Sequence, residues 1–146
     1  MNTLINLTEH AMAFLLLRLF LAIRFIHAFY GKTLNEDGSF DLANLSHFTE
    51  KTIDGFSAVL PKFALVPYAV ALPWVELLLG AMLLVGFKTR WTLFLTGLTY
   101  ISLAFGMMLV KNYETVGQIM MHVLVVAFAL RWISHNAWCL DKAESN

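Results

Sequence analysis

Arg24 and Glu76 are ionisable residues set inside otherwise apolar runs of the chain. A charge in hydrocarbon is costly unless it faces the protein interior and finds a partner, so each marks a site by default. Their opposite signs predict a charge-assisted pair of the kind arginine favours. Such a pair has two uses. It can clasp one apolar run to another, or the carboxylate can carry protons while the guanidinium holds an acceptor oxygen. Four further polar residues fall in the same runs: His27, Tyr100, Gln118 and His122. A quinone ring needs an apolar slot, a donor at each carbonyl and a proton path to water. Glu76, His122 and Arg24 are the catalytic candidates, and Tyr100, His27 and Gln118 the residues for holding a quinone or a lipid headgroup.

Those residues require four helices to position them. Apolar runs cover about residues 11–30, 68–87, 91–110 and 115–132, each close to the ~20 residues that cross a bilayer core. Thr8 is the expected N-cap of the first run and Gly31 its stop. The polar turns Lys88-Thr89-Arg90 and Lys111-Asn112-Tyr113-Glu114 are short enough to make the last three runs antiparallel neighbours. Counted from the side of the long loop between the first two runs, Arg24, Glu76 and His122 lie about seven to eight residues deep and Tyr100 about ten. At 1.5 Å per residue the four share a slab of ~5 Å. His27 and Gln118 sit one turn above Arg24 and His122, as a polar track to that layer. Pro73, three residues before Glu76, is expected to bend its helix and turn the carboxylate inwards. Arg18 lies deeper and is expected to snorkel or to meet a helix C-terminal carbonyl. The fold class is thus an all-α membrane protein: an antiparallel four-transmembrane-helix bundle in a single domain, residues 1–146.

Between the first two runs, residues 46–60 place Phe48, Ile53, Phe56 and Leu60 at helical intervals with Glu50, Lys51 and Asp54 between them. This predicts an amphipathic interfacial helix that Pro61 ends. Gly80, Gly86, Gly97 and Gly106 read as close-packing points between helices. Trp74, Trp91, Trp132 and Trp138 read as interfacial anchors. Lys88, Arg90, Arg131 and Lys142 fall on the side of the N-terminus. The other side carries Lys32, Lys51, Lys62 and Lys111 together with Glu36, Asp37, Asp41, Glu50 and Asp54. The positive-inside rule then places both termini in the cytoplasm.

Composition agrees with lipid as the main solvent. The 146 residues are 59% hydrophobic and 14% charged, with a mean hydropathy of +0.68. Soluble domains carry about a quarter charged residues. Zero formal net charge and no basic block argue against a nucleic-acid partner. The single cysteine, Cys139, cannot form an intrachain disulfide or a paired-thiol redox motif. No histidine or carboxylate spacing matches a zinc or di-metal site, so no metal is expected. His27 and His122 are the minimum for a bis-histidine haem b, but their depths differ by about three residues, ~4–5 Å. Haem b is therefore disfavoured, and composition and spacing leave the cofactor unknown.

Several motifs in order resemble the DoxX/DoxD-like family of small four-helix membrane proteins. The stretch from Arg18 through Arg24-Phe-Ile-His-Ala-Phe-Tyr-Gly-Lys32 resembles the first helix of that family. Glu76-Leu-Leu-Leu-Gly80 with Gly86-Phe-Lys-Thr-Arg90 resembles its second helix and turn. Phe105-Gly106 with Thr115, and the closing Cys139-Leu140-Asp141, resemble later family motifs, with cysteine where the family has serine. The resemblance implies the four-helix membrane fold and a subunit of a redox system, such as a thiosulfate:quinone oxidoreductase, beside another protein subunit. Its residue-by-residue candidates are Arg18, Arg24, Lys32, Glu76 and Arg90, with Gly80 and Gly86 as motif glycines.

Three functions follow in order. The first is a membrane subunit of a quinone-linked oxidoreductase in a bacterial or archaeal plasma membrane. The second is a non-catalytic assembly or interaction protein, alone or as a homo-oligomer. The third is a lipid-binding or transport protein using the polar layer for headgroups.

Overall fold

The computed structural model describes residues 2–35, 37–136 and 139–140, with side chains from residue 9 onwards. Glu36, Trp138, Asp141 and Lys142 lie outside the described residues. Five α-helices follow one another: α1 (Asn2–Tyr30), α2 (Asn44–Phe56), α3 (Lys62–Val85), α4 (Thr89–Leu109) and α5 (Tyr113–Arg131). A short 3₁₀ turn, Ile133–His135, follows α5. Among the described residues the only extended pairing is an isolated bridge between Leu34 and Phe40.

Residues Glu9–Tyr30 of α1, together with α3, α4 and α5, form four segments of 22, 24, 21 and 19 residues, long and apolar enough to cross a membrane. Helix α1 packs on α3, α3 on α4, α4 on α5 and α5 back on α1. The ring they form encloses Phe14, Leu21, Phe25, Leu79, Leu83, Leu93, Tyr100 and Val126. Arg18, Glu76, Thr89, Thr92 and Thr96 are buried with them, while Leu16, Ile23, Leu78, Phe105 and Phe128 stand exposed. An apolar outside around a partly polar inside is stable only where the outside meets lipid.

The sequence locates α4 and α5 to within two residues, but misplaces the starts of α1 and α3. Helix α1 begins at Asn2, so Thr8 lies within it and is not its N-cap. Helix α3 begins at Lys62, directly after an extended Pro61, and runs through Pro67 and Pro73. The sequence pattern treats the region before residue 68 as loop because proline breaks soluble helices. In a membrane helix neighbouring groups satisfy the freed carbonyls, so the helix continues.

The turns have local causes. Gly86 adopts a left-handed conformation (φ 69°). Its N–H donates to the Leu83 carbonyl and the Phe87 N–H to that of Met82, the Schellman closure that only a residue without a Cβ adopts freely. The Thr92 hydroxyl then donates to the Phe87 carbonyl at 2.9 Å. Asn112 caps α5 by accepting from the Thr115 N–H, so this helix starts two residues before the sequence pattern does.

Helix α2 runs over Asn44–Phe56 rather than 46–60, and ends well before Pro61. Its half-buried residues are Leu45, Phe48, Thr49, Thr52, Ile53 and Phe56, and His47, Glu50, Lys51 and Asp54 are exposed. This is one apolar stripe at helical spacing. It lies against α3, and Phe56 reaches Gly106 of α4. Gly106 therefore accommodates α2 rather than a neighbouring span. Gly80 and Gly97 are close-packing points: a Cβ on Gly97 would lie 3.3 Å from Val126 Cγ1 of α5, and Gly80 is tighter still. A Cβ there would lie 2.9 Å from Ile26 Cγ1 and 3.2 Å from the Ala22 carbonyl oxygen.

Overpacking of this contact should be measurable. Gly80→Leu is expected to destabilise the protein by about 1–3 kcal/mol, read as a lowered unfolding temperature in detergent. Gly117→Ala, where nothing lies within 4 Å of the added methyl, should leave that temperature unchanged or slightly raised.

Candidate functional site

Two ridges of α1 set the geometry of the site. Ala22 and Ile26 face Gly80 of α3, and Phe29 meets Trp74 of the same helix at 5.8 Å between ring centres. Phe20 instead stacks on His122 of α5 at 5.8 Å. Arg24 lies one turn from Phe20 and about 200° around the helix from both Ala22 and Ile26. It therefore belongs to the α5 ridge, not the α3 ridge.

This placement overturns the expected Arg24–Glu76 pair. The Glu76 carboxylate, buried on α3, accepts a hydrogen bond and an ion pair from the Lys32 ammonium. Lys32 lies just beyond the end of α1, where its flexible four-carbon stem reaches the carboxylate, while Arg24 lines the same cavity without coming within ion-pair distance of it. The same ammonium lies 4.9 Å from the centre of the Phe48 ring on α2, within cation–π range. Lys32 thus joins α1, α2 and α3 at one point. The resemblance put Lys32 among the motif residues, but its position past the apolar run gave no signal that it was the ion-pair partner.

The polar layer itself is assembled. Arg24, Phe25, Ala28, Glu76, Tyr100, Leu103, Thr115, Gln118, Ile119 and His122 line one cavity of about 140 Å³. Five of the six candidates from the sequence meet there. His27 does not: it is exposed and outside the lining, so the polar track is made by Gln118 alone. The Tyr100 ring packs between Phe25 at 4.9 Å and His122 at 5.2 Å.

The polar atoms differ in how far they are satisfied. Tyr100 is 5% exposed, and its hydroxyl has no hydrogen-bond partner among the described residues. Tyr100 lines the same cavity as Arg24 and Glu76. His122 Nδ1 lies 2.7 Å from the Gln118 carbonyl oxygen. A carbonyl only accepts, so Nδ1 carries the proton and Nε2 of the neutral ring is an acceptor. Arg24 makes no ion pair within 4.0 Å among the described residues.

Arg18 belongs to a separate cluster. It is buried, and does not snorkel: Nη1 donates to Asn136 Oδ1 at 2.7 Å. The Asn136 amide donates in turn to Thr89 Oγ1 at 2.9 Å. A Cβ on Gly86 would lie 2.6 Å from Arg18 Nη1 and 2.7 Å from Cys139 Cβ. The backbone N–H of Leu140 donates to the Val85 carbonyl at 3.3 Å. Arg18 and Gly86 therefore fasten the segment after α5 to the turn between α3 and α4. Arg90 is exposed beside this clasp. Among the described residues no group of three metal-ligating side chains comes together.

Breaking a largely buried pair from one side leaves the other charge stranded. Lys32→Gln is expected to cost about 3 kcal/mol of stability and Arg24→Gln much less. The double change Lys32→Gln with Glu76→Gln should recover part of the loss. Thermal unfolding of the four proteins decides it: a larger loss from Arg24→Gln than from Lys32→Gln would restore Arg24 as the partner.

Comparison with known proteins bears on the fold and on half of this site. The DoxX family model matches residues 13–111, which takes in Arg18, Arg24, Lys32, Glu76 and Tyr100 but stops before α5. Thr115, Gln118, Ile119 and His122, the α5 wall of the cavity, lie beyond the match. No curated protein and no solved structure matches the chain. With the match covering more than half of the chain and four apolar helices long enough to span a bilayer, the protein is a membrane protein of the DoxX family.

Proposed function

We propose that the protein is an integral membrane subunit of a quinone-linked redox system, and that the cavity between the helices receives the quinone ring. The observation that carries this reading is the buried Tyr100 hydroxyl without a partner among the described residues, beside Arg24 and His122 in a cavity whose apolar side is Phe25, Ala28, Leu103 and Ile119. A buried unsatisfied hydroxyl costs about 1–3 kcal/mol, which a ligand oxygen would recover. The volume suits one ring. A dry cavity of about 150 Å³ holds benzene, whereas drug-sized ligands need ~300 Å³ or more.

The roles follow from the chemistry of each side chain. Tyr100 and Arg24 donate to a carbonyl oxygen, and His122 Nε2 accepts from the ring hydroxyl that reduction creates. Glu76, held by Lys32 beneath α2, moves protons towards the loop side, and Gln118 towards the seam between α1 and α5. The isoprenoid tail leaves along that seam. The sequence carries no cofactor motif, so the two electrons come from a partner subunit. A second reading, a non-catalytic assembly protein, draws on the neutralisation of Glu76 by Lys32, which makes the pair a clasp.

The proposal includes a topology. The spans run antiparallel, with α2 at the interface and both termini in the cytoplasm of a bacterial or archaeal cell. The meetings of Glu76 with Lys32, Gly80 with Ile26 and Gly86 with Arg18 support its antiparallel packing of α1 on α3, since residue numbers rise on one helix as they fall on the other. In a Cys139→Ser background, single cysteines in the Lys88–Arg90 turn and in α2 are expected to label from opposite sides of the membrane. Labelling from one side would remove the topology.

The redox reading is tested by His122→Phe, which keeps the ring and removes the acceptor nitrogen. Quinone reduction with the native partner present is expected to fall about 100-fold at an unchanged unfolding temperature. Full activity in a stable His122→Phe protein would take the site away, and absence of co-purifying quinone beside a stoichiometric partner would favour the assembly protein.

A further inference from the structure

The charges in the cavity do not balance. Glu76 enters its wall already neutralised by Lys32. Arg24, on another ridge of α1, makes no ion pair within 4.0 Å among the described residues, and the lining holds no carboxylate besides Glu76. The ion pair that neutralises the carboxylate thus leaves one guanidinium charge facing the cavity. Aromatic rings form part of its walls: Phe25, Tyr100 and His122 line the cavity with tilted ring contacts between neighbours, and Phe20 stacks on His122 from outside the lining.

From this juxtaposition we infer that the cavity selects a planar six-membered ring bearing an ionised oxygen, the oxyanion lying against the Arg24 guanidinium and the Tyr100 hydroxyl. The ring fills the space between Phe25, Leu103 and Ile119. Its oxyanion accepts two donors, one of them charged, and such hydrogen bonds are about twice as strong as neutral ones. A neutral ring of the same shape would leave the guanidinium of Arg24, an exposed residue of α1, without a counter-charge among the described residues. This inference rests on the ring-binding reading of the cavity and adds to it the charge state of the ligand: ring acids, hydroxylated quinones in their ionised form, and other phenolate-like rings.

The Lys32–Glu76 pair makes the selectivity conditional. Removing the lysine would leave a carboxylate uncompensated in the cavity wall and cancel the Arg24 charge. Removing the carboxylate would add to the positive field. The two halves of one ion pair therefore have opposite effects on anion binding, which a purely structural role of that pair would not produce.

The test uses the full chain in lipid nanodiscs, with 4-nitrophenolate as the anionic ring and 4-nitroanisole, its uncharged methyl ether, as the neutral one. Binding is measured at a pH where the phenol is ionised, with empty nanodiscs subtracted. The anion is expected to bind roughly ten- to a hundredfold tighter than the ether. Arg24→Gln should abolish the preference, weakening the anion at least tenfold more than the ether, Lys32→Gln should reduce it, and Glu76→Gln should raise it. Each variant is first checked for an intact thermal transition, and should Lys32→Gln not fold, the Arg24→Gln and Glu76→Gln pair decides. Binding of neither compound would overturn the ring-binding reading itself. Equal binding of both, or an anion preference that survives Arg24→Gln, would overturn the charge selection while leaving the ring site standing. Displacement of 4-nitrophenolate by sulfate at equal concentration would also overturn it, since charge alone would then be read.

Discussion

The bundle depends on one ion pair placed where water does not reach. A carboxylate inside a membrane helix is tolerated only with a partner, and Glu76 finds it in Lys32, 44 residues earlier in the chain. That bond settles the register of α1 against α3, because the two helices must bring residue 32 level with residue 76. Gly80 then falls opposite Ala22 and Ile26, where only a missing side chain fits. The same ammonium under Phe48 draws α2 over the end of the bundle. Helix α2 buries no residue completely, so its position depends on its half-buried stripe and on this contact.

Much of this was legible in the residues. Lipid as solvent, four spans and an amphipathic helix between the first two follow from apolar run length and spacing. The polar layer follows from simple depth counting, and Arg24, Glu76, Tyr100, Gln118 and His122 do line one cavity. Depth alone does not fix azimuth. The pairing of Arg24 with Glu76 failed because 100° per residue puts Arg24 on the ridge facing α5, and His27 failed for a related reason. Lys32 was hidden by its place in the loop, since a long flexible side chain can reach back into a bundle that its backbone has left. The start of α3 was hidden by Pro67, whose helix-breaking effect is a rule of aqueous solvent.

Membership of the DoxX family accounts for part of the cavity only. The match carries α1 to α4 and ends before α5, whose His122, Gln118 and Thr115 close the site. The cavity thus combines three helices within the family match and one beyond it.

The Arg18 clasp has a consequence for how the protein is made. Arg18 lies on α1, and its partner Asn136 follows 118 residues later. Helix α1 therefore enters the membrane carrying a guanidinium whose bond to Asn136 cannot form until α3, α4 and α5 have been synthesised. Docking of the segment after α5 then locks these helices late in biogenesis. A chain truncated before residue 136 would keep its four spans yet lack that lock, and would offer a membrane protease a bundle with its end unfastened.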